Sequence, residues 1–249
     1  MNLTELQTVG IVSDSTLINA ECLEAMDKLI EQWVKVDSII TDPPYWDNKV
    51  DNRINSWFKT KQLYLEFIKK MIIKSTTLLK NTWNIAICCD EKSNYKIRQI
   101  LDDVLWEDCF INEIVWLYWA WNSSKKKPFS TKHDTILIYW KTKDYNFNLL
   151  KENWIRIKDW WNIKSIADKS WYLKCDDEYR VLTPYQKPIA LLERQILWLS
   201  NKWDVILDPF MWSWTTWVAC KNLNRKFIWI ELDETYFNIA KDRINEIFL

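Results

Sequence analysis

The chain has 249 residues, with 34 Lys and Arg against 34 Asp and Glu, and 48% of its side chains are apolar. That suits the core of one large α/β domain, and no run of about 18 apolar residues is available to span a bilayer. Six cysteines without a C-x-x-C pair and a single histidine, His133, argue against a zinc site or a disulfide framework, and no metal is implied. Met1-Asn-Leu-Thr-Glu-Leu6 lacks the basic and apolar regions of a secretory signal, so a cytoplasmic address is expected.

Strand-like and helix-like segments alternate along the chain. Val36 to Thr41, with Val36, Ile39 and Ile40, stops at Asp42-Pro43-Pro44, which cannot continue a ladder, and it reads as a buried strand. Residues 60–80 carry Leu63, Phe67, Met71 and Leu78 among lysines, a helical stripe. Asn84 to Cys89 predicts a short strand, followed by a helix near 93–105 and strands over 111–117 and 134–140. Gln186 to Asn201 predicts an amphipathic helix, with Ile189, Leu192, Ile196 and Leu199 at helical spacing and Pro188 in its first turn. A strand over 204–208, a helix over 213–224, a strand over 226–231 and a closing helix over 233–248 complete the series. Such alternation predicts a mostly parallel, doubly wound α/β sheet. Residues 141–185 break the rhythm and read as an irregular insertion within a single domain spanning 1–249.

One pair of counts is abnormal. A chain of this length should hold roughly 17 glycines; it holds 1, Gly10, beside 19 tryptophans. An α/β domain needs residues at positive φ in turns and at helix ends, and glycine fills them at least cost. Either the fold meets these positions in another way, or many of the tryptophans stand where glycine belongs.

Two segments carry chemistry. Thr41-Asp42-Pro43-Pro44-Tyr45 closes a predicted strand, where open α/β sheets place their ligands. The paired prolines fix the backbone, so the Asp42 carboxylate and the Pro43 carbonyl can converge as two acceptors on one amino group, with the Tyr45 ring as a flat face for stacking. The second segment is Asp208-Pro209-Phe210-Met211-Trp212-Ser213-Trp214-Thr215-Thr216-Trp217. With glycine at its three tryptophans it is a nucleotide-type loop between strand and helix, whose backbone must approach a ligand closely. Glu231 ends the next strand, 23 residues after Asp208. It suits a ribose hydroxyl partner, though an acid there also serves as a helix cap.

In this order the segments resemble the beta-class amino-methyltransferases, the N6-adenine and N4-cytosine DNA methyltransferases, in which a D-P-P-Y block precedes an F-x-G-x-G block. Leu17-Ile-Asn-Ala-Glu21-Cys-Leu-Glu-Ala-Met26 resembles the family's I-x-x-G-D-C-L-E opening, with Glu21 where Asp is usual. Lys132-His133-Asp134-Thr-Ile-Leu137 resembles its K-H-D/E-x-I-L strand, and Pro184-Tyr-Gln186-Lys187-Pro188 with Leu191-Leu-Glu-Arg194 its P-T-Q-K-P…L-L-E-R helix. The family has glycine at the positions of Trp46, Trp83, Trp203, Trp212, Trp214, Trp217 and Trp229.

The resemblance implies a circularly permuted Rossmann-like fold and a methyl transfer from S-adenosyl-L-methionine to an exocyclic amine. Adenine N6 is favoured because Asp at 42 goes more often with adenine and Ser with cytosine. For the reaction it implies Asp42, Pro43, Pro44 and Tyr45. For the cofactor it implies Asp208, Pro209, Phe210, Thr215 and the backbone of Met211, Trp212, Ser213 and Trp214, with Ser213 and Thr216 near the methionine carboxylate. Lys187 would be a second carboxylate contact, Glu231 the ribose partner and Glu21 a neighbour of the adenine edge. The implied partner is double-stranded DNA, with room for a cognate restriction endonuclease, and no membrane. Lys125, Lys126, Lys127 and Lys132, beside His133, form a basic stretch without an acid, suited to phosphate contact. Base specificity is expected in 141–185. No Pro-Cys pair is present, which disfavours C5-cytosine methylation.

A bulky residue in a glycine conformation costs about 1–3 kcal/mol, so Trp212, Trp214, Trp217 and Trp229 together would cost roughly 4–12 kcal/mol, comparable to a domain's whole stability. The pattern is that of a gene whose UGA codons specify glycine, translated with UGA as tryptophan. If the tryptophans were genuine, the competing reading would be a non-catalytic nucleic-acid-binding module with a filled cofactor pocket. An RNA amino-methyltransferase is the other alternative, and a dehydrogenase is weaker, since D-P-P-Y has no role in hydride transfer.

Overall fold

The computed structural model describes residues 9–12, 15–46, 58–117, 133–141, 148, 151–152, 155–156, 160–162, 187–210, 215–238 and 241. The chain opens with β1 (Val9–Val12) and β2 (Ser15–Asn19), then α1 (Cys22–Glu31) and β3 (Val36–Thr41). Helix α2 (Lys61–Leu78) runs directly into β4 (Leu79–Cys89), and α3 (Asn94–Leu105), β5 (Phe110–Leu117) and β6 (His133–Trp140) follow. Next come β7 (Lys151–Glu152), β8 (Ile155–Arg156), β9 (Trp160–Asn162) and α4 (Ile189–Leu199), and then β10 (Val205–Asp208), α5 (Thr215–Asn222) and β11 (Lys226–Glu231). Residues 234–238 begin the expected closing helix, and its far end lies outside the described residues.

Among the described residues, nine strands form one sheet in the order β1-β2-β11-β10-β3-β4-β6-β5-β9. The five consecutive strands β2, β11, β10, β3 and β4 are mutually parallel, as the alternation predicts. Strand β6 runs against β4 and β5 on either side of it, a reversal that periodicity does not reveal. Much of the 141–185 stretch, expected to be an insertion, lies outside the described residues, but Trp160–Asn162 extends the main sheet by pairing with β5.

Alternate residues of each central strand face opposite layers, as the period of two requires. Ile39, Ile85, Ile87, Leu137, Leu207, Ile228 and Ile230 pack with α1, α2 and α3 on one face. Ile40, Ala86, Cys88, Ile136, Ile206, Phe227 and Trp229 pack with α4 and α5 on the other. This is a three-layer sandwich whose central strands are buried on both sides, which explains their near-continuous apolar runs. A buried polar tie sets α4 against the sheet. The Ser38 hydroxyl donates to Asn84 Oδ1 (2.6 Å), and Asn84 Nδ2 donates to the Leu199 carbonyl (2.8 Å).

Positive φ occurs at four non-glycine residues among those described, and three of them are tryptophans: Trp33 (58°), Trp106 (74°) and Trp203 (72°), beside Asn224 (59°). Behind α1, the Val34 amide donates to the Leu29 carbonyl and the Trp33 amide to the Ile30 carbonyl, each at 2.9 Å. That is a Schellman ending with Trp33 at the residue where glycine is usual. Helix α5 ends the same way, Arg225 to Cys220 (2.8 Å) and Asn224 to Lys221 (3.1 Å), with an asparagine in that place. Trp106 caps α3 with ψ 143°, close to a region that is essentially glycine's alone. Trp203 is the third residue of a turn closed by Asp204 donating to Asn201 (3.2 Å), where positive φ again asks for glycine. The strain expected at Trp217 and Trp229 is not there: their φ is negative, one sitting in α5 and the other in β11. What Trp229 does carry is a buried indole N–H without an acceptor among the described residues.

Candidate active site

Because the five central strands are parallel, they end on one edge of the sheet, at Asn19, Glu231, Asp208, Thr41 and Cys89. Antiparallel β6 starts on that edge, so His133 and Asp134 arrive there from the opposite direction. Chemistry-bearing residues distant in sequence meet at this edge, and Pro188 at the head of α4 delivers Lys187 to it.

Asp42 follows β3, and each of its oxygens is engaged. The Tyr45 hydroxyl donates to Oδ1 (2.8 Å), and the Lys187 ammonium lies 3.2 Å from Oδ2. The same ammonium donates to Asp134 Oδ2 (3.2 Å) and to the Tyr45 oxygen (2.9 Å). It also lies over two aromatic faces, 5.0 Å from the Tyr45 ring centroid and 5.5 Å from that of Trp116. Burial opposes the charge on Lys187, but the Asp42 and Asp134 carboxylates outweigh it and hold the ammonium above the ordinary lysine range. Burial raises the pKa of Asp134, against the pull of Lys187 and with the repulsion of Asp42. Burial also pushes the Tyr45 phenol well up, helped by Asp134 and Asp42, so it remains a donor.

Asp208 ends β10, the strand beside β3, and bridges the two predicted segments. Thr41 at the end of β3 donates its hydroxyl to Asp208 Oδ1 (2.9 Å), Thr216 at the start of α5 donates to Oδ2 (2.9 Å), and the Phe210 amide donates to Oδ1 (3.1 Å). Burial raises this carboxyl to about 7, partly offset by those three donors. Phe210 is half-buried and packs on Phe67 of α2, ring centroids 5.9 Å apart.

The remaining predicted acids lie along the same edge. Glu21 caps α1, accepting from the Leu23 amide (2.8 Å) and the Glu24 amide (3.1 Å). Glu231 accepts from the Asp233 amide (2.8 Å), while the cap of the helix that follows is Asp233 itself, whose Oδ1 accepts from the Thr235 (2.9 Å) and Tyr236 (3.2 Å) amides. Asn19 Nδ2 donates to the Glu231 carbonyl (2.8 Å) and ties the ends of β2 and β11 together. Pro209 and Thr215 are buried beside Asp208 and Thr216. A row of carboxylates at adjacent strand ends, with a half-buried phenylalanine among them, fits a cationic nucleoside such as S-adenosyl-L-methionine. Lys187, expected beside that cofactor's carboxylate, has its ammonium against Asp42, Asp134 and Tyr45.

Met211, Trp212, Ser213, Trp214, Lys125, Lys126, Lys127 and Lys132 lie outside the described residues, while His133 opens β6. Three residues at the site had no role in the sequence reading: Thr41, Trp116 and Asp134. Asp134 stood inside the quoted Lys132-His133-Asp134 block, and that was its only signal. Among the described residues there is no group of three or more His, Cys, Asp and Glu side chains able to hold a metal ion. No helix among them is long and apolar enough to cross a membrane.

The profile of the N6/N4 DNA methylase family matches residues 36–242. The type II methyltransferase M.HpaI of Haemophilus parainfluenzae is 32% identical over 250 residues, covering 94% of this chain and 76% of that protein. The crystal structure of the M1.HpyAVI–SAM complex superposes with a TM-score of 0.64 at 28% identity, covering 92% of this chain and 99% of that one. The cytosine-N4-specific PvuII DNA methyltransferase shares the fold, with a TM-score of 0.73 at 15% identity over 98% of this chain and 95% of its own. The chain belongs to the N6/N4 DNA methylase family, and it is an S-adenosyl-L-methionine-dependent DNA amino-methyltransferase.

Proposed function

We propose that the enzyme methylates adenine N6 in double-stranded DNA, on a base turned out of the helix, with Asp42 as the acceptor of the target amine. The observation that carries this reading is the bond from Thr41 to Asp208, 2.9 Å long, which joins the ends of β3 and β10. It puts Thr41, next to Asp42, against the segment expected to hold the cofactor, which supports Asp42 as the group that meets the target amine.

An exocyclic amine is a poor nucleophile because its lone pair is delocalised into the ring. Accepting its hydrogens at Asp42 and at the Pro43 carbonyl favours a pyramidal nitrogen with a localised lone pair. S-adenosyl-L-methionine, held by Asp208, Phe210, Glu231 and the 211–216 segment, supplies an electrophilic methyl group when bound. Positioning then contributes much of the rate. To take the amine, Asp42 Oδ1 exchanges the Tyr45 hydroxyl for an amine hydrogen, which frees the Tyr45 ring to stack on the base. A base inside a duplex cannot reach this edge, so extrusion is required. Asp rather than Ser at 42 supports adenine by the family's tendency.

The test is transfer of labelled methyl to unmethylated duplex DNA, followed by nucleoside analysis, using the chain with Trp212→Gly and Trp214→Gly. N6-methyladenine is expected; N4-methylcytosine in its place moves the target to cytosine. Asp42→Ala in the same background should lower kcat by about 10²–10³-fold, the scale of losing one preorganised polar group. Label on RNA and none on duplex DNA would overturn the substrate assignment.

A further inference from the structure

We propose that Asp134 is a positioning residue for methyl transfer: through Lys187 it keeps Asp42 available as the acceptor of the target amine. The inference rests on the reading of Asp42 given above.

Lys187 has three N–H groups, and three oxygens surround it: Asp42 Oδ2 at 3.2 Å, Asp134 Oδ2 at 3.2 Å and the Tyr45 oxygen at 2.9 Å. Its side chain is 9% exposed and that of Asp134 13%, so water screens these contacts little. The aromatic faces of Tyr45 and Trp116 flank the same ammonium. Lys187 therefore stands at equal distance from two carboxylates, one in the reactive segment and one outside it.

The charge count gives this sharing a consequence. One cation between two carboxylates leaves the cluster net negative. Without the Asp134 charge, the whole pull of Lys187 falls on Asp42, the ammonium closes on Oδ2, and Asp42 becomes a weaker acceptor. Positive charge grows on the amine nitrogen as it attacks the methyl group, and a negative cluster beside it stabilises that state more than the ground state. Asp134 touches neither reactant and acts on both counts through Lys187. A merely structural Asp134 would compensate a buried cation, and its loss would reduce the folded fraction rather than turnover per folded molecule.

The experiment compares variants in the Trp212→Gly, Trp214→Gly chain, with active sites counted by cofactor binding. Asp134→Asn should lower kcat by about 30-fold while KM for DNA and the cofactor Kd stay within about threefold. Asp134→Glu, which keeps the charge, should recover kcat to within about fivefold of the parent, and it carries the test if the Asn variant does not fold. Because Asp134 acts through Lys187, adding Asp134→Asn to Lys187→Gln should cost no more than about twofold beyond Lys187→Gln alone. Parental kcat in Asp134→Asn, independent losses in the double variant, or an Asp134→Glu variant as slow as one lacking the charge overturns the proposal. If Asp42→Ala abolishes transfer in that same series, the reading of Asp42 stands while the role of Asp134 falls. If Asp42→Ala transfers at the parental rate, both fall.

Discussion

Tryptophan at positive φ is the residue-scale fact with the widest consequences. Trp33, Trp106 and Trp203 are 85%, 75% and 62% exposed, so almost no burial offsets the conformational cost. Trp33 closes a Schellman motif whose counterpart at α5 uses Asn224, a residue that tolerates the left-handed region. The same hydrogen-bond pattern with a suitable residue at one end and an indole at the other is what glycine decoded as tryptophan produces. Trp→Gly at each of 33, 106 and 203 should raise unfolding free energy by about 1 kcal/mol, read by urea denaturation, since glycine adopts these angles without strain. UGA codons at 33, 106 and 203 should accompany those at 212 and 214 in the gene. UGG at these positions, or destabilisation on replacement, would remove the recoding account.

At the scale of elements, what matters is how β10 ends. Asp208 is fully inside the sheet edge, receives three hydrogen bonds, and still has its pKa lifted to about 7 by burial. In the unfolded chain the same carboxyl titrates near 3.9. The folded state thus holds the proton more tightly, so the stabilising contribution is complete below about pH 4 and is lost as pH rises through about 7. Asp208→Asn removes this dependence and keeps the shape. Its unfolding free energy relative to the parent should improve by on the order of a few kcal/mol between about pH 4 and 8. A pH-independent difference in denaturation midpoints would contradict the raised value. The elements themselves were unevenly legible. Strand β3 and helix α4 were plain, one buried on both faces and stopped by two prolines, the other periodic over its whole length. The hairpin of β1 and β2 was not, because Ser15–Asn19 is short and mixed in polarity. Helix α1 was hidden by its start, a Glu21 cap where Ser, Thr, Asp or Asn would have been the signal. Strand β4 begins five residues before Asn84 because α2 passes into it without a turn.

For the whole molecule, net charge is zero, so attraction to DNA has to be local. Leu117 and His133, the described residues on either side of the segment holding Lys125, Lys126 and Lys127, pair with each other on the edge that carries Asp42. Replacing the three lysines by alanine should weaken DNA binding on all sequences alike and leave cofactor affinity intact. The slope of log K against log salt should become shallower by about 2–3. An unchanged slope would place the phosphate contacts elsewhere.

The alternation of segments determined the α/β class, and the order of the two segments with their flanking blocks carried the family resemblance that implies the reaction, because both depend on residue types at fixed spacings along the chain. The tertiary structure decided which residues share an edge. Lys187 and Asp134 are 53 residues apart and Thr41 and Asp208 are 167 apart, and only parallel strands ending side by side, with one antiparallel strand entering between β4 and β5, bring each pair together. Strand direction leaves no mark on hydrophobic periodicity, so a sequence can declare its chemistry while hiding which carboxylates share a cation.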